Sequence, residues 1–354
     1  MPCRPNSKVK RIPSLDGLRA VSISLVLYSH SLGLNGFLPS GYAVSWTGDL
    51  GNLGVRVFFV ISGYLISTLL LLEHAKKGNV SLFAFYWRRA FRILPPSYLF
   101  LCILLAVRMI NSTDALAGFT YSVNYPLWPP LTFSITHLWS LSVEEQFYLL
   151  WPSVMKFFGI NRAMALAASF VILSPAIRLA ALLFAPHAYI PYIGNTFETT
   201  ADAIACGCVL AGLNNRLVNN QRYRGFLESK WMYVMPPAIL IFNSLSHHPR
   251  FAYLVGYSVM NIFIALSIHS FVLAPRGFVG RLLNSSLAVW IGTLSYSIYL
   301  WQQIFLDPRG RWVLNQFPFN IAAILMTACA SYYLVERPAF WLRDHLRPRA
   351  LRTG

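Results

Sequence analysis

The sequence predicts an all-α, polytopic membrane protein of about ten transmembrane helices, and three observations carry that reading. Of 354 residues, 56% are hydrophobic and only 12% are charged, about half the roughly 25% charged fraction of soluble domains. Long apolar stretches recur along the whole chain, and the basic residues gather between alternate stretches. Together these exclude a disordered chain, a water-soluble globular enzyme and a collagen-like or coiled-coil rod. Five cysteines (Cys3, Cys102, Cys206, Cys208 and Cys329) in so long a chain exclude a disulfide scaffold.

The apolar stretches run near 14–34, 54–72, 91–110, 138–157, 164–184, 198–213, 232–245, 251–274, 285–306 and 317–336. Most approach the roughly 20 residues that a helix needs to cross hydrocarbon. The sixth and seventh are shorter, which suits a broken, tilted or bundle-buried segment. With the amino terminus placed in the cytoplasm, 23 of the 29 Lys and Arg residues fall on or near that side. Arg250, Arg309 and Arg311 fall on the other, and Arg56, Arg108 and Arg178 fall within spans. Such a split is the positive-inside bias; a nucleic-acid surface has no reason to alternate in this way. The net charge of +17 therefore reads as topology, with both termini cytoplasmic, lipid as a partner and no nucleic acid.

The first stretch is too long for a cleaved signal peptide, carries Arg19 and His30, and lacks a small-residue cleavage site, so it is expected to stay as the first helix. The chain reads as one membrane domain over 1–354, with helices over about 14–336, a basic tail over 337–354 and no additional soluble domain. A long outer connection near 111–137 contains Asn111-Ser112-Thr113, a glycosylation triplet.

Ionisable groups inside lipid are expensive, so each marks a functional candidate. Arg19 and His30 are eleven residues apart on the first helix. That is about 20° past three full turns and about 16 Å along the axis, which puts both on one face. A buried His is as often a hydrogen-bonded core residue as a functional one. In the fourth stretch, His137, Glu144 and Tyr148 share one helical stripe. The adjacent carboxylates of Glu144 and Glu145 cannot both face lipid. Glu144 sits about 10 Å below the outer surface, near the depth of His30. This permits a His30–Glu144 pair; the competing arrangement is an ion pair of Glu144 with Arg178. At the start of the third stretch, Arg88 suits a membrane-surface anchor. Arg89 and Arg92, one turn apart, suit a phosphate clamp that Arg19 would complete. Asp202 is a further buried acid without an assigned partner. Ser62 and Gly63 read as helix packing. No metal-ligand spacing, phosphate-binding glycine loop or Gly-x-Ser-x-Gly elbow is present, so neither a metal nor a permanently bound cofactor is expected. The rival reading is a glycan or lipid transporter, supported by the paired breaks Pro95-Pro96 and Pro236-Pro237.

Taken together, several motifs are identifiable. They are Leu15-Asp16-Gly17-Leu18-Arg19 with His30, Gly54-Val55 with Phe58 to Ile66, the Arg89/Arg92 pair, the His137-to-Tyr148 block, Ala201-Asp202-Ala203, and Ser295 to Trp301. In this order they resemble the integral-membrane acyltransferase family 3, which O-acylates surface polysaccharides, lipid-linked sugars, Nod factors and macrolides. The resemblance runs nearly end to end. It implies a multi-pass protein of a bacterial inner or plasma membrane. It also implies a cytoplasmic acyl-CoA donor, most simply acetyl-CoA, and a carbohydrate or glycolipid hydroxyl as acceptor. Carried over, His30 would be the catalytic base or transient acyl carrier and Glu144 would tune it, while Arg19, Arg89 and Arg92 would hold the phosphates of CoA. The chain departs from the family at three places: Gln302 where His is common, Thr200 where Arg is common, and Arg56 where an acid is usual.

Overall fold

The computed structural model describes residues 12–32, 49–275, 277–310 and 312–346. Cys3, the basic residues before Ile12, Arg276, Arg311 and the arginines after Leu346 lie outside the described residues. All the elements described are helices. They are α1 (Pro13–Ser31), α2 (Leu50–Lys77), α3 (Leu82–Ala106), α4 (Ser112–Phe119), α5 (Leu138–Phe158), α6 (Ile160–Phe184) and α7 (Phe197–Asn219). After these come α8 (Met235–Ser244), α9 (Tyr257–Leu273), α10 (Ser286–Phe305), α11 (Phe319–Ser331) and α12 (Arg337–His345), with short helical turns between them.

Local chemistry sets the ends. Pro13 opens α1 at a position where its missing N–H is no loss. The Asp49 carboxylate caps α2 by accepting from the Asn52 N–H at 2.9 Å. Gly78, at φ 72°, closes α2 in the left-handed region, behind a last turn carrying His74, Lys76 and Lys77. Asn111, the first residue of the glycosylation triplet, forms a capping box with Asp114 at the start of α4. The connection over 111–137 is thus partly helical. Arg108 does not lie in a span as expected: α3 ends at Ala106, and Arg108 follows in a turn at φ 59°. The basic tail expected from 337 begins instead as α12, reached from α11 through the wide turn Tyr332–Glu336.

Each apolar stretch holds a helix, but among the described residues only five helical segments are long and apolar enough to cross a membrane: Leu50–Lys77, Leu82–Ala106, Ile160–Phe184, Pro249–Leu273 and Phe319–His345. The rest fall short for physical reasons. α8 has 10 residues, while α1, α5, α7 and α10 have 19 to 23 and are diluted by polar groups such as Arg19, Glu144, Asp202 and Gln302. α6 behaves in the opposite way. It buries only Ala163, Ala167, Ser174 and Arg178 and leaves Ile172, Leu173 and Phe184 exposed, the surface a bilayer would solvate.

At the centre, α7 is buried without interruption from Thr199 to Cys208 and lies directly on α2. A Cβ at Gly63 would stand 2.0 Å from the Ile204 carbonyl oxygen, and one at Gly207 would stand 2.1 Å from that of Val60. The missing side chains let two backbones touch, as small residues do in membrane helix pairs. α3 continues unbroken through Pro95-Pro96. The hydroxyls of Ser97 and Tyr296 both donate to the Ile93 carbonyl at 2.9 Å, next to the Phe91 and Arg92 carbonyls that lose their ladder partners to the two prolines. Pro236-Pro237, by contrast, opens α8. The two proline pairs are therefore not structurally equivalent.

Candidate active site

Three cavities follow one another along the bundle. The first, about 320 Å³, lies between α1, α10 and the α11–α12 turn and is lined by Asp16, Arg19, Arg92, Thr293, Tyr332 and Glu336 among others. The second is narrow, about 90 Å³, and shares Arg19 and Arg92 with the first. It adds Arg89, Ser62, Glu144, Tyr148, Ser140, Phe59 and Tyr299. The third is roomy, about 630 Å³, and is lined by His30, His137, Gln303, Thr136, Asn195, Trp128, Trp139 and Tyr192, with apolar neighbours.

The structure therefore gathers Arg19, Arg89, Arg92, Glu144 and Tyr148 around one chamber. α1 supplies the first of them, α3 the two further guanidinium groups, and α5 the last two. Arg19 is held by Asp16 at 3.2 Å across one turn. The Arg89 guanidinium lies over the Tyr148 ring at 4.3 Å, a cation–π contact. Among the described residues, neither Arg89 nor Arg92 is in an ion pair. Tyr148 donates to Ser62 at 3.0 Å and Ser62 donates to the Glu144 carboxylate at 2.5 Å, so a hydrogen-bonded chain crosses the chamber. The sequence marks Ser62 only as a packing residue, and its place on the buried face of α2 carries no further signal of this partner.

His30 and His137 lie in the other cavity. The expected His30–Glu144 pair is not formed. His30 Nδ1 meets the Gln302 carboxamide oxygen at 3.3 Å, and Glu144 turns to Ser62. The stripe on α5 explains this division, since His137 stands at its beginning while Glu144 and Tyr148 lie two and three turns further on. Between the two cavities is a wall. Ser140 and Tyr299 meet hydroxyl to hydroxyl at 2.5 Å, Tyr299 donates to the His137 carbonyl at 2.6 Å, and Phe59 packs edge-on against Trp139 with centroids 6.1 Å apart.

The competing ion pair of Glu144 with Arg178 is also not formed. Arg178 pairs with Asp202 at 3.0 Å, both side chains fully buried. Arg178 further donates to the carbonyls of Tyr253 and Thr199 and to Ser258, and Ser258 donates to Asp202 at 2.7 Å. Asp202 thus has the partner that the sequence left unassigned, and the network ties α6, α7 and α9 together, away from the three cavities. Glu145 lines none of them, and its Oε1 is buried without a hydrogen-bond partner. Arg56 is buried against the Tyr257 ring at 3.7 Å and donates to Asn52 at 2.7 Å. Thr200 donates to the Thr196 carbonyl at 2.7 Å.

These features define an all-helical protein with several helices apolar enough to span a bilayer and a basic chamber buried among them. Its sequence matches the acyltransferase domain family over residues 12–336, and the chain belongs to that family. It is 29% identical over 356 residues to the peptidoglycan O-acetyltransferase OatA of Listeria monocytogenes (serovar 1/2a), an alignment covering 92% of this chain and 54% of the relative. It is 28% identical over 361 residues to YrhL of Bacillus subtilis (strain 168), whose name carries the same activity provisionally, with 92% and 54% covered. A provisionally named O-acetyltransferase of Staphylococcus aureus (strain COL) is 27% identical over 365 residues, with 94% and 58% covered. The chain thus spans little more than half the length of these relatives. No solved structure matches it.

Proposed function

We propose that the chain is a membrane O-acyltransferase that moves an acyl group, most simply acetyl, from acyl-CoA to a hydroxyl of a carbohydrate or lipid-linked sugar. The observation that carries this reading is the chamber where three guanidinium groups from two helices converge, Arg89 and Arg92 without carboxylate partners among the described residues. A diphosphate is the group such a site would take, and Arg can bind it bidentately. The relatives named as O-acetyltransferases support acetyl as the cargo. In this reading about ten segments lie in a bacterial cell membrane, both termini are cytoplasmic and the basic chamber opens to that side.

Arg19, Arg89 and Arg92 hold CoA, and the pantetheine arm reaches toward the wall. His30 is the acyl carrier. A carboxamide oxygen only accepts, so Gln302 keeps the imidazole proton on Nδ1 and leaves the Nε2 lone pair free. Nε2 attacks the thioester carbon, the C–S bond breaks, and the electron pair leaves with sulfur. The sulfur leaves as a thiolate and takes its proton from water as CoA departs, while the Tyr148–Ser62–Glu144 chain, whose hydrogen bonds all run toward the carboxylate, fixes Glu144 in the chamber. The acceptor sugar occupies the roomy cavity, whose Trp128, Trp139 and Tyr192 offer ring faces and whose Asn195, Gln303 and Thr136 offer hydrogen bonds.

Purified protein incubated with acetyl-labelled CoA tests the reading. Binding should raise the thermal midpoint, and His30→Ala should abolish turnover while keeping that shift. A transporter has no use for CoA, and its stability would be indifferent to it.

A further inference from the structure

An acyl group carried on His30 Nε2 occupies the only lone pair that this imidazole has to offer, so the acceptor hydroxyl must lose its proton to another group. We propose that His137 is that group: a second, oppositely protonated imidazole whose bare Nδ1 deprotonates the acceptor in the outer cavity. The inference rests on the acyl-carrier reading of His30 and adds a residue to it.

Four observations carry it. His137 lines the same cavity as His30. Its Nε2 meets the Leu300 carbonyl oxygen at 3.2 Å; a carbonyl only accepts, so the proton is on Nε2 and Nδ1 is a bare acceptor. The residue is only 3% exposed, and Nδ1 is buried with no hydrogen-bond partner. A buried nitrogen held in one tautomer and left unsatisfied beside a cavity is costly unless something from the cavity meets it. The ring is also fixed in place, edge-on to Tyr299 at 5.3 Å and to Phe100 at 6.1 Å, while its own backbone carbonyl accepts from Tyr299. Gln303 Oε1, likewise buried and unpartnered, lines the same cavity and can accept from a neighbouring hydroxyl of the same acceptor.

The step balances. The acceptor O–H proton moves to His137 Nδ1 while its oxygen forms a C–O bond to the acyl carbon. The C–N bond to His30 breaks, and its electron pair returns to Nε2. His137 then releases the proton to water in the cavity. Water can stand in for the sugar, giving slow hydrolysis of the donor. Hydroxylamine is nucleophilic enough to attack without a base.

The test uses the full chain in detergent with acetyl-CoA as donor and water or hydroxylamine as acceptor. His137→Gln keeps an N–H for the Leu300 carbonyl and lacks a basic nitrogen; His137→Leu lacks both. A thermal melt reports folding of each. The expected result is a His137→Gln protein that melts like wild type and binds acetyl-CoA equally. Its hydrolysis should be lowered about 100-fold, the scale of general-base catalysis, while hydroxylamine transfer stays within about threefold. Equal activity toward both acceptors, or an equal loss toward both, would overturn the proposal, because a structural residue does not distinguish them. Nitrogen-15 NMR of labelled histidine reads the tautomer without turnover: an unprotonated Nδ1 on His137 is expected, and a protonated one overturns the proposal on its own. The His30→Ala variant keeps the two readings apart. If it turns over normally the acyl-carrier mechanism fails, whereas the tautomer of His137 is measured independently of it.

Discussion

Arg92 borders both the first cavity and the narrow chamber, so in the proposed scheme a CoA phosphate passing from one to the other meets it. A hydrogen bond to a charged group contributes about 1.5–3 kcal/mol. Arg92→Ala is therefore expected to raise the KM for acetyl-CoA roughly 10- to 100-fold with a smaller effect on kcat, measured by release of free thiol. Lys should restore little, because it lacks the planar fork. Gln302 acts elsewhere. Gln302→Leu removes the acceptor that holds the His30 proton on Nδ1, at a cost of about 1 kcal/mol. Steady-state kinetics should show kcat lower by roughly fivefold and an unchanged donor KM. The identity of these side chains was legible in the sequence, because arginines and histidines in apolar helices stand out by their cost. Their partners were not. Depth and helical phase allowed Glu144 to meet His30 or Arg178. The choice of Ser62, Gln302 and Asp202 depends on how helices distant in sequence are placed side by side.

At the scale of elements, the contact between α2 and α7 and the Arg178–Asp202 network hold the bundle that presents the chamber. Gly207→Ala forces a methyl to about the position of the Val60 carbonyl oxygen, 2.1 Å away. Overpacking of this kind costs about 1–3 kcal/mol or more, and a lowered thermal midpoint in detergent is expected. Asp202→Ala leaves the fully buried Arg178 without its counter-charge, at about 3–5 kcal/mol. It should reduce folded yield far more than any change at Glu144, and size-exclusion profiles would show it. Ten of these helices were legible as apolar stretches. Their status as spans was less so: α1, α5, α7 and α10 carry the polar groups of the site and lose hydropathy for that reason, while α8 is only 10 residues long. Hydropathy also could not foresee that α3 runs through Pro95-Pro96, since the helices packed on it, such as α10 with Tyr296 about two hundred residues away, are set by the tertiary fold.

Over the whole molecule, the arrangement is two compartments and a wall. In the proposed scheme CoA phosphates sit at the basic end and hydroxyl acceptors in the roomy cavity, and Ser140, Tyr299, Phe59 and Trp139 stand between the two. Acyl transfer requires the thioester to cross that wall, so narrowing it should stop transfer without disturbing donor binding. Ser140→Phe, which fills the roof of a chamber of only about 90 Å³, is expected to keep the CoA-induced thermal shift and lose most turnover. The sequence placed Arg19 and His30 on one helix, and the structure puts the first at the basic chamber and the second at the roomy cavity. The sequence did not reveal the wall, whose parts come from α2, α5 and α10 and carry no charge to mark them.

The most direct measurement places acetyl-labelled CoA on one side only of proteoliposomes of known orientation, with hydroxylamine on the other. The account predicts labelled hydroxamate on the far side when the donor faces the Arg19–Arg89–Arg92 end, and none from His30→Ala. Equal transfer with His30 replaced, or equal transfer with the donor supplied only at the His30 end, would contradict it.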